Sequence, residues 1–350
     1  MTEKNVAEKE AYFGAANTYR GFKSYFGEIF NPLDYSRIYV IKGGPGTGKS
    51  SMMKKISAYF ADKECSIEEI YCSSDPRSLD GVIVSQNGKK IAVIDGTAPH
   101  ETDAKIPGAI DEIINLGDNW DCRWLSSKRD IICDLNKEKK EAYSTAYSYL
   151  KIAGEAADFI TNSTAESFDF SKAKNKIVDF CHEFNSKNTF LSKTRLISAF
   201  GKNGYFRLDT LQNKFRKTVE ISGAEFPALL LLNVVSKLLL ALNTSASGFP
   251  TALNPNYLDA IQVNDTIIII GGKGDINADE LMRSDKCYSE RIKSAAFMRA
   301  SALDEAKRWF GIASDLHFRL EEIYSSAMNF EKNEELLCGK LSEMENILEV

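Results

Sequence analysis

One run of residues, Gly43-Gly44-Pro45-Gly46-Thr47-Gly48-Lys49-Ser50, combines glycines, a lysine and a hydroxyl at the spacing GxxxxGK[ST]. Glycines at this spacing let the backbone turn its N–H groups toward a phosphate at the start of a helix. In such a loop Lys49 would reach the β- and γ-phosphates, and the Ser50 hydroxyl would ligate magnesium. The predicted nucleotide-binding residues are Gly43, Gly44, Pro45, Gly46, Thr47, Gly48, Lys49, Ser50 and Ser51.

A second metal-side group is predicted at Asp95. Residues 91–95, IAVID, are four apolar residues that end in a carboxylate, the pattern of a strand that carries an aspartate to the magnesium side of a phosphate loop. Ser50 and Asp95 are therefore the predicted metal ligands. Gly96 follows Asp95, so a glutamate that orients water is missing from the adjacent position and must come from elsewhere.

Two segments could supply that missing group. Asp75 follows the predicted strand 67–72, although an aspartate before proline is also an ordinary turn former. The loop after Asp95 offers Thr97 as a sensor of the γ-phosphate and His100 as a polar contact. The predicted catalytic residues are Lys49, Asp95, Asp75, Thr97 and His100.

These residues require strands that end beside the loop and a helix that starts after it. Residues 37–42, RIYVIK, form an apolar and β-branched run directly before Gly43, and Met52, Ile56 and Phe60 follow at helical spacing. Asn87-Gly88 predicts a tight turn before the strand 91–95. The sequence therefore predicts strand, loop and helix in that order, with both 67–72 and 91–95 in the same sheet.

The second half of the chain repeats the first. The matching segments are 75–84 with 254–263, 91–94 with 267–270, 37–43 with 217–223, 146–156 with 306–316 and, faintly, 13–21 with 196–204. We therefore predict an α/β fold made of two tandem P-loop NTPase-like modules, each a mostly parallel sheet flanked by helices. The boundary is predicted at 186/187, with an active ATP-binding module over 1–186 and a degenerate one over 187–350.

The repeat predicts that the second module does not bind nucleotide, because its charged and hydroxyl groups are lost together. The predicted replacements are Leu229 for Lys49, Leu230 for Ser50, Gly271 for Asp95 and Asn254 for Asp75. Asp80 is kept as Asp259, which favours a role in stabilising a local turn.

Three motifs together, GGPGTGKS, CSSDPRSLDG (72–81) and DGTAPH (95–100), resemble a largely uncharacterised bacterial family of tandem P-loop ATPases. The resemblance covers most of the first half strongly and the second half weakly. It implies that ATP binds through Gly43 to Ser50 and that Asp95, Thr97 and His100 have a role. The segment 223–230, GAEFPALL, departs from a working loop.

Long helical tracts are predicted at 122–161 and 286–328, as extensions that pack on the sheets or as an arm that binds a protein partner. The net charge of -5 favours no nucleic-acid partner. The apolar run 227–242 is shorter than the ~20 residues that span a bilayer, so we predict a buried helix and no membrane. The charged first residues and the scattered cysteines favour a cytoplasmic protein with reduced thiols.

The sequence leaves three functions open for ATP and magnesium at this site. The first is an ATPase that couples hydrolysis to conformational change or partner binding. The others are a small-molecule or nucleotide kinase and a nucleotide sensor that does not hydrolyse. A GTPase is disfavoured, because the nearest string to the base-reading motif, Ser127-Lys128-Arg129-Asp130, lies in a helical tract. A kinase is less favoured than an ATPase because no arginine-rich lid is visible.

Overall fold

The computed structural model describes residues 9–184, 191–192, 194–211, 214–272, 274–283 and 286–350. The strands are β1 (Lys9–Phe13), β2 (Ala15–Thr18), β3 (Gly21–Ser24), β4 (Arg37–Lys42), β5 (Ser66–Tyr71), β6 (Leu79–Gln86), β7 (Lys89–Asp95), β8 (Asp111–Asn115), β9 (Leu191–Ser192), β10 (Ser198–Gly201), β11 (Gly204–Arg207), β12 (Lys217–Ser222), β13 (Ala246–Pro250), β14 (Leu258–Val263), β15 (Thr266–Ile270) and β16 (Ile276–Asn277). The helices are α1 (Phe26–Ile29), α2 (Lys49–Ala61), α3 (Cys122–Ser127), α4 (Arg129–Ser167), α5 (Phe170–His182), α6 (Glu225–Ala241), α7 (Lys286–Ser326) and α8 (Phe330–Leu348). Short 3-10 turns span Pro32–Asp34, Leu116–Asn119 and Ala278–Leu281.

Two six-stranded sheets among the described residues have the same strand order. The first runs β1-β5-β6-β7-β4-β8 and the second β9-β13-β14-β15-β12-β16. In each sheet one strand runs antiparallel to both of its neighbours, which is β6 in the first sheet and β14 in the second. The other pairs of neighbouring strands are parallel. The prediction of an α/β fold with mostly parallel sheets is therefore confirmed. The carboxyl ends of the parallel strands meet at one edge of each sheet.

The described chain divides into two compact units. Unit 1 comprises the described residues of 9–15, 24–145 and 308–350, and unit 2 those of 16–23 and 146–307. The predicted boundary at 186/187 lies outside the described residues. Each unit combines segments from both halves of the sequence. Helices α4 and α7 each begin in one unit and end in the other.

The two halves exchange their last helices. Helix α8 belongs to the second half of the sequence, yet its Leu337 and Met344 are buried with Met53 and Val93 in the core of unit 1. Helix α5 of the first half likewise places Ile177 in the core of unit 2. Each helix offers an apolar stripe at helical spacing, which must be buried against a sheet, and the stripe by itself does not specify which sheet.

The predicted helices and the predicted turn are confirmed in the described residues. The long tracts form α3, α4 and α7, and the apolar run forms α6, where Leu230, Leu231 and Leu232 are all buried. Asn87 and Gly88 have φ values of 52° and 75°, which closes the β6–β7 hairpin. None of the described helices combines the length and the apolar character needed to cross a membrane.

The long helices α4 and α7 repeat one burial pattern at a constant interval. Small and apolar residues are buried at corresponding positions, which are Leu135 and Ala295, Ala142 and Ala302, Ala146 and Ala306, Leu150 and Phe310, and Ala153 and Ala313. The weak similarity of 146–156 to 306–316 therefore reflects equivalent positions on two equivalent helices. Each position of α4 can therefore be matched to one position of α7.

Candidate phosphate-binding site

The glycine-rich segment lies where the motif requires, between a strand and a helix. Residues 43–48 connect β4 to α2, and Lys49 is the first residue of the helix. Strand β7 pairs directly with β4, so that Ile41 is opposite Asp95. Because β4 and β7 are parallel, the loop and Asp95 lie at the same edge of the sheet.

Three glycines of this loop have a backbone that favours glycine. Gly43, Gly46 and Gly48 have φ values of 154°, 69° and 89°. A Cβ atom at Gly46 would also lie 2.4 Å from the carbonyl oxygen of Glu321 in α7. The loop is therefore shaped both by its own conformation and by close packing against a helix from the far end of the chain.

Lys49 and Ser50 are held by backbone groups at the start of α2. The Lys49 ammonium donates to the carbonyl oxygens of Gly43 at 3.0 Å and Gly44 at 2.8 Å, and lies 3.7 Å from Asp95 Oδ2. The Ser50 hydroxyl oxygen accepts a hydrogen bond from the Leu79 N–H at 2.9 Å. The structure therefore brings the predicted lysine together with Asp95, whereas Ser51 is exposed.

Thr97 orients the Asp95 carboxylate. Its N–H and hydroxyl donate to Asp95 Oδ1 at 2.9 and 2.6 Å. Lys42 holds the same loop by donating to the carbonyl oxygens of Gly96 at 3.0 Å and Thr102 at 2.8 Å. One Asp95 oxygen is thus fixed by Thr97, and the other faces the Lys49 ammonium.

His100 is a buried residue of the loop that follows Asp95. Its Nε2 is 3.1 Å from Asp80 Oδ2, and its ring stacks on Phe26 with 4.0 Å between centroids. Asp80 lies in strand β6, and its buried carboxylate faces this histidine, whose N–H closes the 97–100 turn. The role of Asp80 in stabilising a local turn stays a prediction. The catalytic role of His100 stays a prediction, and these contacts are those of a residue that packs the loop.

Asp75 makes a two-point ion pair with Arg77. The guanidinium Nε and Nη2 donate to the two carboxylate oxygens at 3.1 and 3.0 Å, and the Arg77 N–H donates to Oδ1. In unit 2 Asn254 forms the same turn, with its Oδ1 accepting from the Asn256 N–H. An amide therefore satisfies the backbone at this position, and Asp75 adds a negative charge that Asn254 lacks.

Replacing Asp75 with asparagine tests whether that charge serves catalysis. We expect turnover of ATP to fall about 100-fold if Asp75 orients water or metal. Stability should change by less than about 1 kcal/mol, because the pair with exposed Arg77 is near the surface and the turn is kept. Thermal melting and phosphate release are measured on the same preparation. A loss of stability with normal turnover per folded molecule would make Asp75 a turn residue.

Helix α8 braces the loop through a residue that sequence reasoning missed. The buried Asn333 amide donates to the carbonyl oxygen of Thr47 at 3.0 Å and accepts from the Asn119 amide at 2.8 Å. The rings of Trp120, next to Asn119, and of Tyr324 in α7 lie beside Gly44. No local pattern in the sequence indicates this role, because Asn333 is far along the chain from Thr47.

Two polar side chains near Asp80, those of Cys72 and Tyr143, were not predicted from the sequence. Burial, followed by the charge of nearby Asp80, raises the pKa of the Cys72 thiol well above its usual value. Burial raises the pKa of Tyr143 to about 12, although a hydrogen bond with Ser74 opposes the shift. Both side chains therefore remain neutral near pH 7 and act as hydrogen-bonding groups rather than nucleophiles.

Unit 2 has no comparable loop at the same place. Gly223 and Ala224 alone separate β12 from α6, so Glu225 rather than Leu229 corresponds to Lys49 as the first residue of the helix. Ile270 is paired with Ile221 as Asp95 is paired with Ile41, so the predicted equivalence of Asp95 with Gly271 is wrong by one position. A carboxylate is absent in either alignment, because the two candidate positions are Ile270 and Gly271. Lys49 is matched to Leu229 in the repeat because a comparison without gaps cannot detect a shortened loop.

Asp259, the counterpart of Asp80, has different partners. Its carboxylate accepts hydrogen bonds from the Ser198 hydroxyl and, at 3.1 Å, from the Tyr205 hydroxyl. Burial raises the pKa of Asp259 to about 6, although these hydrogen bonds oppose the shift. The retained aspartate therefore anchors a neighbouring segment in each unit, which explains its retention without a ligand.

A magnesium ion at this loop would depend on Ser50 and Asp95 as its protein ligands. Within the described ranges no group of three or more His, Cys, Asp or Glu side chains could hold a metal ion. A phosphate-loop site does not need such a group, because one hydroxyl, one carboxylate and the phosphate oxygens suffice.

Comparisons with protein-family models, with curated proteins and with solved structures find no match to this chain.

Proposed function

We propose that this chain binds ATP with magnesium at residues 43–50 and hydrolyses it, coupling hydrolysis to a conformational change or to partner binding. The observation that carries the proposal is the placement of Lys49, 3.7 Å from Asp95, at the start of a helix that follows a loop of positive-φ glycines. The N–H groups at such a helix start favour an anion, and the lysine adds a positive charge.

The donor set fits this assignment. Ser50 and Asp95 offer the oxygen ligands that magnesium prefers, and Lys49 is positioned to exchange the carbonyl oxygens of Gly43 and Gly44 for phosphate oxygens. Magnesium, when bound, would offset charge on the phosphates. Thr97 would keep the Asp95 carboxylate in place, and Asp75 remains the candidate for orienting water.

The proposal extends to the second half as a P-loop NTPase-like module that no longer binds nucleotide. Its support is the shared strand order of the two sheets, combined with a connection after β12 that consists of Gly223 and Ala224 alone. Glu225 begins the next helix and would repel a phosphate at that position.

An assay with ATP labelled on its γ-phosphate tests the activity. The purified chain is incubated with labelled ATP and magnesium, with and without a metabolite extract. Label in free phosphate supports an ATPase. Label on another molecule supports a kinase, and binding without transfer supports a sensor. No binding would overturn the proposal.

The number of sites is a separate prediction. We expect about one mole of ATP bound per mole of chain, because among the described residues unit 1 has a glycine loop with a lysine and a carboxylate, whereas unit 2 does not. Equilibrium dialysis with ATP and magnesium measures this ratio. A value near two would show that unit 2 also binds nucleotide.

A further inference from the structure

Lys139 is a cation on the buried face of helix α4. It lies between Leu135 and Ala142 at spacings that share one face of a helix, and both neighbours pack against Leu316 and Leu320 of α7. Burial in this seam lowers the pKa of the Lys139 amine. A lysine is rarely placed among apolar residues unless an anion meets it there.

The structure shows no close anion for Lys139 among the residues it describes. The nearby carboxylate is Glu321, which acts on it electrostatically without an ion pair and is instead 3.5 Å from His317. Glu321 is also the residue whose backbone touches the phosphate loop at Gly46. The part of α4 that carries Lys139 therefore packs against the part of α7 that contacts the loop, and no described residue forms an ion pair with Lys139.

Unit 2 shows what the corresponding residue does when an anion is present. Arg299 occupies the same register on α7, between the buried Ala295 and Ala302. Its guanidinium binds both carboxylate oxygens of Glu225, at 2.7 and 2.8 Å, and donates to the Tyr19 hydroxyl at 2.9 Å. Glu225 is the first residue of α6, the position that Lys49 has in α2.

We propose that Lys139 binds the terminal phosphate of the nucleoside triphosphate at residues 43–50, the anion whose place the Glu225 carboxylate takes in unit 2. The inference rests on the proposed function. A diphosphate lacks this group, so Lys139 would distinguish ATP from ADP. Helix α4 continues from Lys139 into unit 2, and the residue that detects the terminal phosphate is thus on a helix that belongs to both units.

The test compares the affinities of Lys139→Met for MgATP and MgADP with those of the wild type. Methionine fills similar space without charge. We expect the affinity for MgATP to fall about 10- to 100-fold, as for the loss of a hydrogen bond between charged groups. The affinity for MgADP should change less than about threefold, and Lys139→Arg should recover most of the difference. Lys140→Met, at the exposed neighbouring position, is the matched control and should behave as the wild type.

Thermal melting separates this role from a structural one. If Lys139 serves only the ligand, Lys139→Met should melt at or above the wild-type temperature, because an unpaired amine leaves an apolar seam. If that variant does not fold, Lys139→Gln is measured in the same way. Equal loss of ATP and ADP affinity, or no loss of either, would overturn the inference. A wild type that binds neither nucleotide would instead overturn the proposed function.

Discussion

Replacing Lys49 with alanine should abolish measurable binding of MgATP at micromolar concentrations, with a loss of affinity of at least about 100-fold. The ammonium is the one side-chain cation that the structure places within 4 Å of Asp95 and beside the loop carbonyl oxygens, among the described residues. Without it the β- and γ-phosphates would lose the lysine of the loop itself, and the Asp95 carboxylate would repel them. Equilibrium dialysis or calorimetry with MgATP measures the effect.

Lys55→Ala is the matched control for this experiment. Lys55 is on the same helix but exposed, and it pairs with Glu334 at the surface, where an ion pair contributes about 0–1 kcal/mol. We expect its nucleotide affinity to equal that of the wild type. Both variants should melt within a few degrees of the wild type. Wild-type affinity in Lys49→Ala would remove residues 43–50 from the proposed site.

Asp95→Asn should reduce magnesium-dependent turnover about 100-fold or more while leaving MgATP affinity within about fivefold of the wild type. The asparagine oxygen can still accept the two hydrogen bonds from Thr97, so the loop should keep its conformation. The lost charge is the one that would support the metal. Phosphate release at saturating MgATP measures turnover, and a melting curve verifies the fold.

Asp103→Asn provides a control with the same chemical change. Asp103 pairs with Lys42 at 2.8 Å, but its side chain is 88% exposed, and Lys42 keeps its two carbonyl acceptors. We expect normal turnover. If Asp95→Asn also turned over normally, the metal-side carboxylate would have to be another residue, and Asp75 would be the next to test.

Local sequence was sufficient for the elements that carry the proposed site. The run 37–42 is strand β4 with the predicted bounds, and the glycine loop leads into a helix whose Met53, Ile56 and Phe60 are buried. Asp95 ends β7, and the hairpin before it forms at Asn87-Gly88. These features are encoded by neighbours in the chain, because apolar periodicity, glycine conformations and turn residues act over a few positions.

Comparison of the two halves was also informative about the fold, because a repeat preserves strand order even when its side chains differ. It failed where the length changed. The segments 37–43 and 217–223 align without a gap, after which the shortened connection brings Glu225 to the start of the helix. The Glu225 carboxylate is bound by Arg299, a contact that the repeat does not predict.

The tertiary structure alone decided which helices meet the site. Asn333 and Glu321 reach the glycine loop through packing between segments far apart in sequence. Lys139 lies on the part of α4 that packs against the same part of α7. The sequence determined that α5 and α8 each have an apolar face to bury, whereas the exchange of these helices between the two units depends on which sheet covers that face. Hydrophobic burial has no direction, so periodicity specifies a buried face but not its partner.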